Sequence, residues 1–211
     1  MTTALLEAGA KVIGVSKSIR EAAFQNSEFV ALTTDIAEPQ AAQKSVDEIV
    51  ARFGRIDILA HLVGGFAGGK TIAETDDATF QSMLNLNLHS AFNVFRAVIP
   101  HMRRAKAGRI IAIGSRAAED PGPGVGAYSA SKAALVSLVR TVALENKDLP
   151  ITANVVLPGT MDTPGNRTAM PKANTAKWVR PANVAALIVW LASEAGRDVN
   201  GAAIPVYGRD L

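Results

Sequence analysis

Tyr128 and Lys132 stand four residues apart in the run Tyr128-Ser129-Ala130-Ser131-Lys132-Ala133-Ala134. The preceding stretch, Pro121-Gly122-Pro123-Gly124-Val125-Gly126, is too rich in Pro and Gly to be helical, so the pair is expected at a loop-to-helix junction. On a helix this spacing puts both side chains on one face, one turn apart. A free phenol ionises near pH ~10. An ammonium group within ~4–6 Å favours the phenolate and lowers that value. A tyrosine so tuned gives or takes a proton near neutral pH. The same spacing also suits a surface pair that only stabilises a helix.

Two further residues bear on that choice. Ser115 ends the apolar run Arg109-Ile110-Ile111-Ala112-Ile113-Gly114, which puts its hydroxyl at the carboxyl edge of a strand. There it can hold a substrate carbonyl or hydroxyl, or simply make a turn. Asn87 falls within the apolar stripe Phe80, Met83, Leu84, Leu88, Ala91, Phe95 and Val98 of a predicted helix, residues 78–99. A buried amide must find hydrogen bonds or cost a few kcal/mol. It either ties the helix to a neighbouring strand, or distorts the helix and holds a water for a proton relay.

The elements that must position these residues alternate in type. Strands are predicted at 11–15, 28–33, 56–63, 109–113, 151–157 and 202–206. Helices are predicted at 4–8, 39–53, 78–99, 127–144 and 181–192, with Pro39 and Pro181 at first turns and Gly9 and Gly54 just past the ends. The pattern predicts a doubly wound α/β fold, a parallel sheet covered by helices on both faces. Ligands of such sheets sit beyond the carboxyl ends of the strands, at the switch point.

Composition narrows the function. A chain of 211 residues predicts a single domain. Apolar residues make up 48% and charged residues 19%, which excludes a disordered or acidic low-complexity chain. With no cysteine there is no disulfide framework, thiolate metal site or cysteine nucleophile; a reducing, cytoplasmic location is expected. His61 has no partner at metal-ligand spacing, so no metal is expected. The N-terminus shows no targeting pattern, and the most apolar stretch, 185–192, falls short of the ~20 residues that span a bilayer. Net charge is +3, and the basic spot Arg103-Arg104-Ala105-Lys106 reads as a solvated helix end. Neither nucleic acid nor membrane is expected as a partner; a small-molecule substrate is.

Asn87, Ser115, Tyr128 and Lys132 together resemble the Asn–Ser–Tyr–Lys tetrad of the short-chain dehydrogenase/reductase family. Leu157-Pro158-Gly159-Thr160-Met161-Asp162-Thr163 is similar to the family's nicotinamide-contacting segment, and Ile204-Pro205-Val206-Tyr207-Gly208 to its closing strand. The resemblance covers essentially the whole chain. It implies a Rossmann-like domain and hydride transfer between a nicotinamide cofactor and a carbonyl or alcohol. In the family's terms Tyr128 exchanges the proton, Ser115 polarises the carbonyl, Lys132 lowers the tyrosine pKa and holds the ribose, and Asn87 anchors the relay water. Cofactor contacts are implied at Ser16, Lys17, Asp35, Ile36, Val63, Gly64, Tyr128, Lys132, Pro158, Gly159 and Thr163. Ser16-Lys17-Ser18 ends its strand without a carboxylate, and Lys17 can pair with a 2′-phosphate; NADP is expected, with NAD as the alternative.

Three departures qualify the resemblance. The family opens with a strand and a glycine-rich phosphate turn, about 20 residues that are not found here. Gly64-Gly65-Phe66-Ala67-Gly68-Gly69 cannot stand in, because no helix follows it at once. Either the domain is N-terminally truncated relative to the family, or the chain is a degenerate relative that binds dinucleotide poorly and acts as a partner or regulatory subunit. His61-Leu62-Val63-Gly64 occupies the slot of the family's Asn-Asn-Ala-Gly. The segments 63–69 and 162–173, with Trp178, resemble the dihydropteridine reductase branch, which implies a quinonoid pterin as alternative substrate. That branch typically lacks the serine that this chain has as Ser115. Asn166, Arg167, Met170 and Trp178 are candidate substrate-wall residues. A homodimer or homotetramer through the two long helices is also implied, with Phe92 and Val94 as exposed apolar positions.

Overall fold

Residues of the strands Gly108–Ile113 and Ile151–Pro158 alternate between two apolar clusters, and that alternation orders the fold. The computed structural model describes residues 1–209. β1 (Val12–Ser16) and β2 (Phe29–Thr33) pair in parallel as a two-stranded sheet. β3 (Ile58–His61), β4 (Gly108–Ile113), β5 (Ile151–Pro158) and β6 (Ala203–Val206) pair in that order as a parallel four-stranded sheet. Among the described residues no strand joins β1 to β3, so the sheet is divided there.

On one face, Ile110, Ala112, Ala153, Val155 and Leu157 pack against helices α2 (Pro39–Phe53), α4 (Ser90–Ala105) and α5 (Gly126–Glu145). On the other, Ile111 and Val156 meet Val184, Ile188 and Leu191 of α7 (Pro181–Ala192). Successive strand side chains point to opposite faces, so a strand covered on both sides reads as a continuous apolar run. All eight residues of β5 are buried. Its one amide, Asn154, donates to Val199 O at 2.7 Å and accepts from Ala202 N–H at 3.0 Å, which anchors the approach to β6. The remaining helices are α1 (Thr2–Glu7), α3 (Asp77–Leu84) and α6 (Pro164–Ala169). No helix among the described residues is long and apolar enough to cross a membrane.

The helix expected at 78–99 is longer and interrupted. α3 leads into one π turn, Asn85–His89, and then into α4. Pro100 lies inside α4 rather than beyond its end. Proline removes one helical hydrogen bond, but Ile99 and Met102 are buried on either side of it, and their packing carries the helix onward. The expected stripe is also incomplete. Phe80 is 43% exposed, whereas Met83 and Asn87 are buried. Val94, expected on an outer face, is buried, whereas Phe92 is 46% exposed; on α4 the two side chains point to different sides.

His61 ends β3 inside the core. Its ring stands edge-on to Phe95 at 5.9 Å, and its Nε2 lies 3.4 Å from Ser90 Oγ. Burial, aided by the nearby Lys132 ammonium, pushes its pKa down to about 4. Above pH ~6.5 the imidazole is neutral in folded and unfolded chains alike, whereas below that value only the unfolded chain takes up the proton. Stability should therefore fall between pH ~6.5 and ~4, by on the order of 3 kcal/mol. Urea melts across that window, on the wild type and on His61→Gln, test this. The wild type should lose the greater stability on acidification; equal losses would sink the assignment.

Candidate active site

Three elements converge beyond the carboxyl ends of β3, β4 and β5. Ser115 follows β4, with extended backbone, and caps a short 3-10 turn by accepting from Ala117 N–H at 3.2 Å. Tyr128 and Lys132 lie on the first turns of α5. Ser115 stands near the Tyr128 phenol and acts to lower its pKa. Lys132 is buried, and its ammonium donates to Ile113 O at 2.8 Å.

Asn87 lies in the π turn and is fully buried. Its Oδ1 accepts from Gly65 N–H at 2.9 Å, while its Nδ2 donates to Gly65 O at 3.1 Å and to Ser131 Oγ at 3.0 Å. Ser131 in turn donates to Tyr128 O at 2.7 Å. The amide thus ties the π turn to both the loop after β3 and α5. A π turn inserts one residue into the helical ladder, and such insertions occur often at functional sites. Gly64 completes the cluster. A Cβ placed there would lie 2.7 Å from Asn87 Oδ1 and 3.1 Å from Lys132 Nζ, so only glycine lets these two groups close around the backbone.

The electrostatics correct one expectation. The Tyr128 phenol is not lowered; burial pushes its pKa up, and Ser115 offsets part of that rise. The phenol therefore keeps its proton at neutral pH. Desolvation falls on Lys132 as well, whose ammonium is pushed down to about 8.

The other predicted residues form a second group. Lys17 Nζ, after β1, pairs with Asp35 Oδ2 at 2.7 Å, and Asp35 Oδ1 accepts from Ala37 N–H at 3.1 Å. The Lys17 contact and that N–H hold the Asp35 carboxyl below its usual range. Ser16 Oγ accepts from Ser18 N–H at 3.3 Å, and Ile36 packs against the main core. Ser16 ends β1, Lys17 follows it, and Asp35 and Ile36 follow β2, so the group lies at the carboxyl ends of the two-stranded sheet. Val63 is half-buried in the loop after β3. Pro158 ends β5; Gly159 donates to Val206 O at 2.9 Å, and Thr163 Oγ1 caps α6 by accepting from Asn166 N–H at 3.2 Å.

The expected substrate wall holds only in part. Trp178 is packed away at 8% exposed, and Asn166 donates its amide to Met161 O at 2.8 Å. Arg167 is held by Asp162 through two hydrogen bonds, at 2.6 and 2.9 Å. Met170 remains exposed. Two site residues were not singled out from the sequence. Ser131 could have been found as the hydroxyl one turn after Tyr128. Phe66, whose ring lies 5.0 Å from that of Tyr128, gave no local signal, because that contact crosses from the loop after β3 to α5. Among the described residues no group of His, Asp and Glu converges as a metal site.

A buried ammonium should weaken the fold. Both chains hold the Lys132 proton near pH 7, but the folded one does so at a desolvation cost; between about 8 and ~10.5 only the unfolded chain keeps it, and stability rises with pH there. Lys132→Met removes that cost and strands only the Ile113 carbonyl. A gain on the order of 1–2 kcal/mol near pH 7 is expected, read as a higher melting temperature. A lower one would show that the ammonium stabilises its surroundings.

The chain is similar to several known proteins. The chain is 33% identical to 2,3-dihydro-2,3-dihydroxybenzoate dehydrogenase of Escherichia coli (strain K12) over 165 residues, which is 78% of this chain and 65% of that protein, just under two thirds of its length. It is 31% identical over 237 aligned positions to versicolorin reductase stcU of Emericella nidulans, covering 99% of this chain and 89% of that one. The solved structure of ElxO with NADP bound superposes with a TM-score of 0.91 at 22% identity, over 98% of this chain and 91% of its own, a likeness of fold. Residues 1–174 match the family model described as short chain dehydrogenase. With that match over most of its length, the chain belongs to the short-chain dehydrogenase family and is an oxidoreductase.

Proposed function

We propose that the chain reduces a small carbonyl compound with NADPH, using Tyr128 as proton donor. The observation that carries this reading is the buried Lys132 ammonium, held on Ile113 O two residues before Ser115 and one helical turn from the Tyr128 phenol. A carbonyl oxygen accepting from both hydroxyls is polarised by Ser115 and protonated by Tyr128. The raised phenol pKa suits this direction, because the group arrives at neutral pH with its proton. As the proton leaves, the buried Lys132 ammonium stabilises the phenolate. Asn87 keeps the Gly65 backbone and Ser131 in register with Tyr128 and so acts as a positioning residue.

The residues present fit a nicotinamide cofactor. Among the described residues the Lys132 ammonium has one acceptor, Ile113 O, which leaves two N–H groups for ribose hydroxyls. Val63, Gly64, Pro158, Gly159 and Thr163 would border the nicotinamide end. A Cβ at Gly159 would come 3.0 Å from Tyr207 O, so a bare backbone runs there. Ser16, Lys17, Asp35 and Ile36 would border the adenosine end. When bound, NADPH supplies the hydride. Lys17 favours NADP over NAD: a 2′-phosphate carries more charge than the Asp35 carboxylate and so competes well for the ammonium.

Thermal shift and turnover test the reading together. NADPH at ~100 times its dissociation constant should add about 2.7 kcal/mol of apparent stability, and NADH at the same concentration less. Tyr128→Phe should keep that shift while aldehyde-dependent NADPH oxidation falls by at least ~100-fold. Surviving turnover would remove Tyr128 as the donor. Equal shifts from the two cofactors would remove Lys17 as the selector.

The chain is also proposed to pair with itself through α4 and α5, as a homodimer or within a homotetramer. Phe92 at 46% and Leu144 at 70% exposed are large apolar groups on those helices. Light scattering should give a dimer or tetramer mass, and Leu144→Arg should shift it toward monomer. A monomeric wild type would end this proposal.

A further inference from the structure

We propose that Phe66 is the wall against which the substrate lies, and that it selects a compound with a flat aromatic or conjugated group next to its reacting carbonyl. This deepens the carbonyl-reductase reading and rests on it. The Phe66 ring stands 5.0 Å from that of Tyr128, with 72° between their planes. It is 68% exposed and belongs to neither core cluster. A large apolar ring is thus held beside the proposed proton donor with most of its surface uncovered.

The position is built rather than incidental. Gly65, the preceding residue, has both its N–H and its C=O bound by the Asn87 side chain. Gly69, three residues on, donates its N–H to Gly124 O at 2.8 Å, which latches the loop to the turn before α5. Between them lies Gly68, where a Cβ would stand 2.8 Å from Phe66 Cζ and 3.2 Å from Val125 Cγ1. The ring therefore rests on a backbone kept bare for it. A side chain already held in place loses little freedom on binding, so its contact surface goes largely into affinity. A ligand bonded to Ser115 and Tyr128 meets polar hydroxyls at its carbonyl and the Phe66 ring alongside. Aromatic groups pair offset or edge-on at such distances, worth up to about tenfold in binding.

Benzaldehyde and pentanal are the probes, on the wild type, Phe66→Ala and Phe66→Tyr, with NADPH for turnover. Binding is read separately, by saturation-transfer NMR at the benzaldehyde ring protons. In Phe66→Ala the benzaldehyde-to-pentanal ratio of kcat/KM should fall about tenfold, through KM, and ring-proton saturation should drop. Phe66→Tyr keeps the flat ring and should stay close to wild type. An unchanged ratio in Phe66→Ala, or an equal loss in both variants, overturns the role of Phe66 and leaves the reductase reading standing. Ring-proton saturation that depends on Phe66 without turnover of either aldehyde does the reverse. Neither turnover nor saturation overturns both. A melt of Phe66→Ala guards against misfolding; lying outside the core, it should shift little.

Discussion

An amide sealed from water must find partners for its oxygen and both its hydrogens, and in this chain the Asn87 side chain finds them on two other elements. It holds the Gly65 backbone by both polar groups and holds Ser131, which holds the Tyr128 carbonyl. Leaving one of these groups unpaired in the interior costs about 1–3 kcal/mol, so the three bonds form together or fail together. The loop after β3, the π turn and the first turns of α5 are therefore one unit. The spacing of Lys132 from Gly64, and of Phe66 from Tyr128, follows from that unit.

The same sealing sets the electrostatics. Lys132, His61 and Tyr128 are each driven by burial toward their uncharged forms: the lysine and histidine down, the phenol up. In each case the cause is the loss of water around the charged form. His61 is the cost of that arrangement. It sits at the end of β3 against Phe95, and the Lys132 charge helps to keep it neutral. Both groups are ionisable side chains held in a core that does not favour their charged forms.

Two halves of the molecule carry different tasks. The four-stranded sheet and its helices bring the tetrad together, while the two-stranded sheet carries the Lys17–Asp35 pair. That pair is mostly open to solvent and contributes little to stability on its own. What it offers is a charge that a more strongly charged ligand can take over. Asn93 donates to Ala37 O at 2.8 Å from α4, and so ties the residues after β2 to the helix layer shared by both sheets.

Local rules were enough for much of this. Helices 39–53 and 181–192 begin and end where Pro at the first turn and the breaks in apolar period predict. The strands follow from short β-branched runs, and the Tyr128–Lys132 spacing follows from helical geometry. Each of these depends on neighbours in the chain. The reading failed where distant contacts outweighed them. The helix predicted to end at 99 runs on through Pro100, with the buried Met102 packed beyond it; Val94 reads as exposed, but α4 turns it inward. Sequence alone determined the element order, the family resemblance and the side chains available for chemistry. Only the tertiary structure decided that Tyr128 is raised rather than lowered, that Asn87 binds a loop rather than a strand, and that Phe66 faces the phenol. Desolvation and cross-element hydrogen bonds depend on what surrounds a group in space, and no local spacing carries that information.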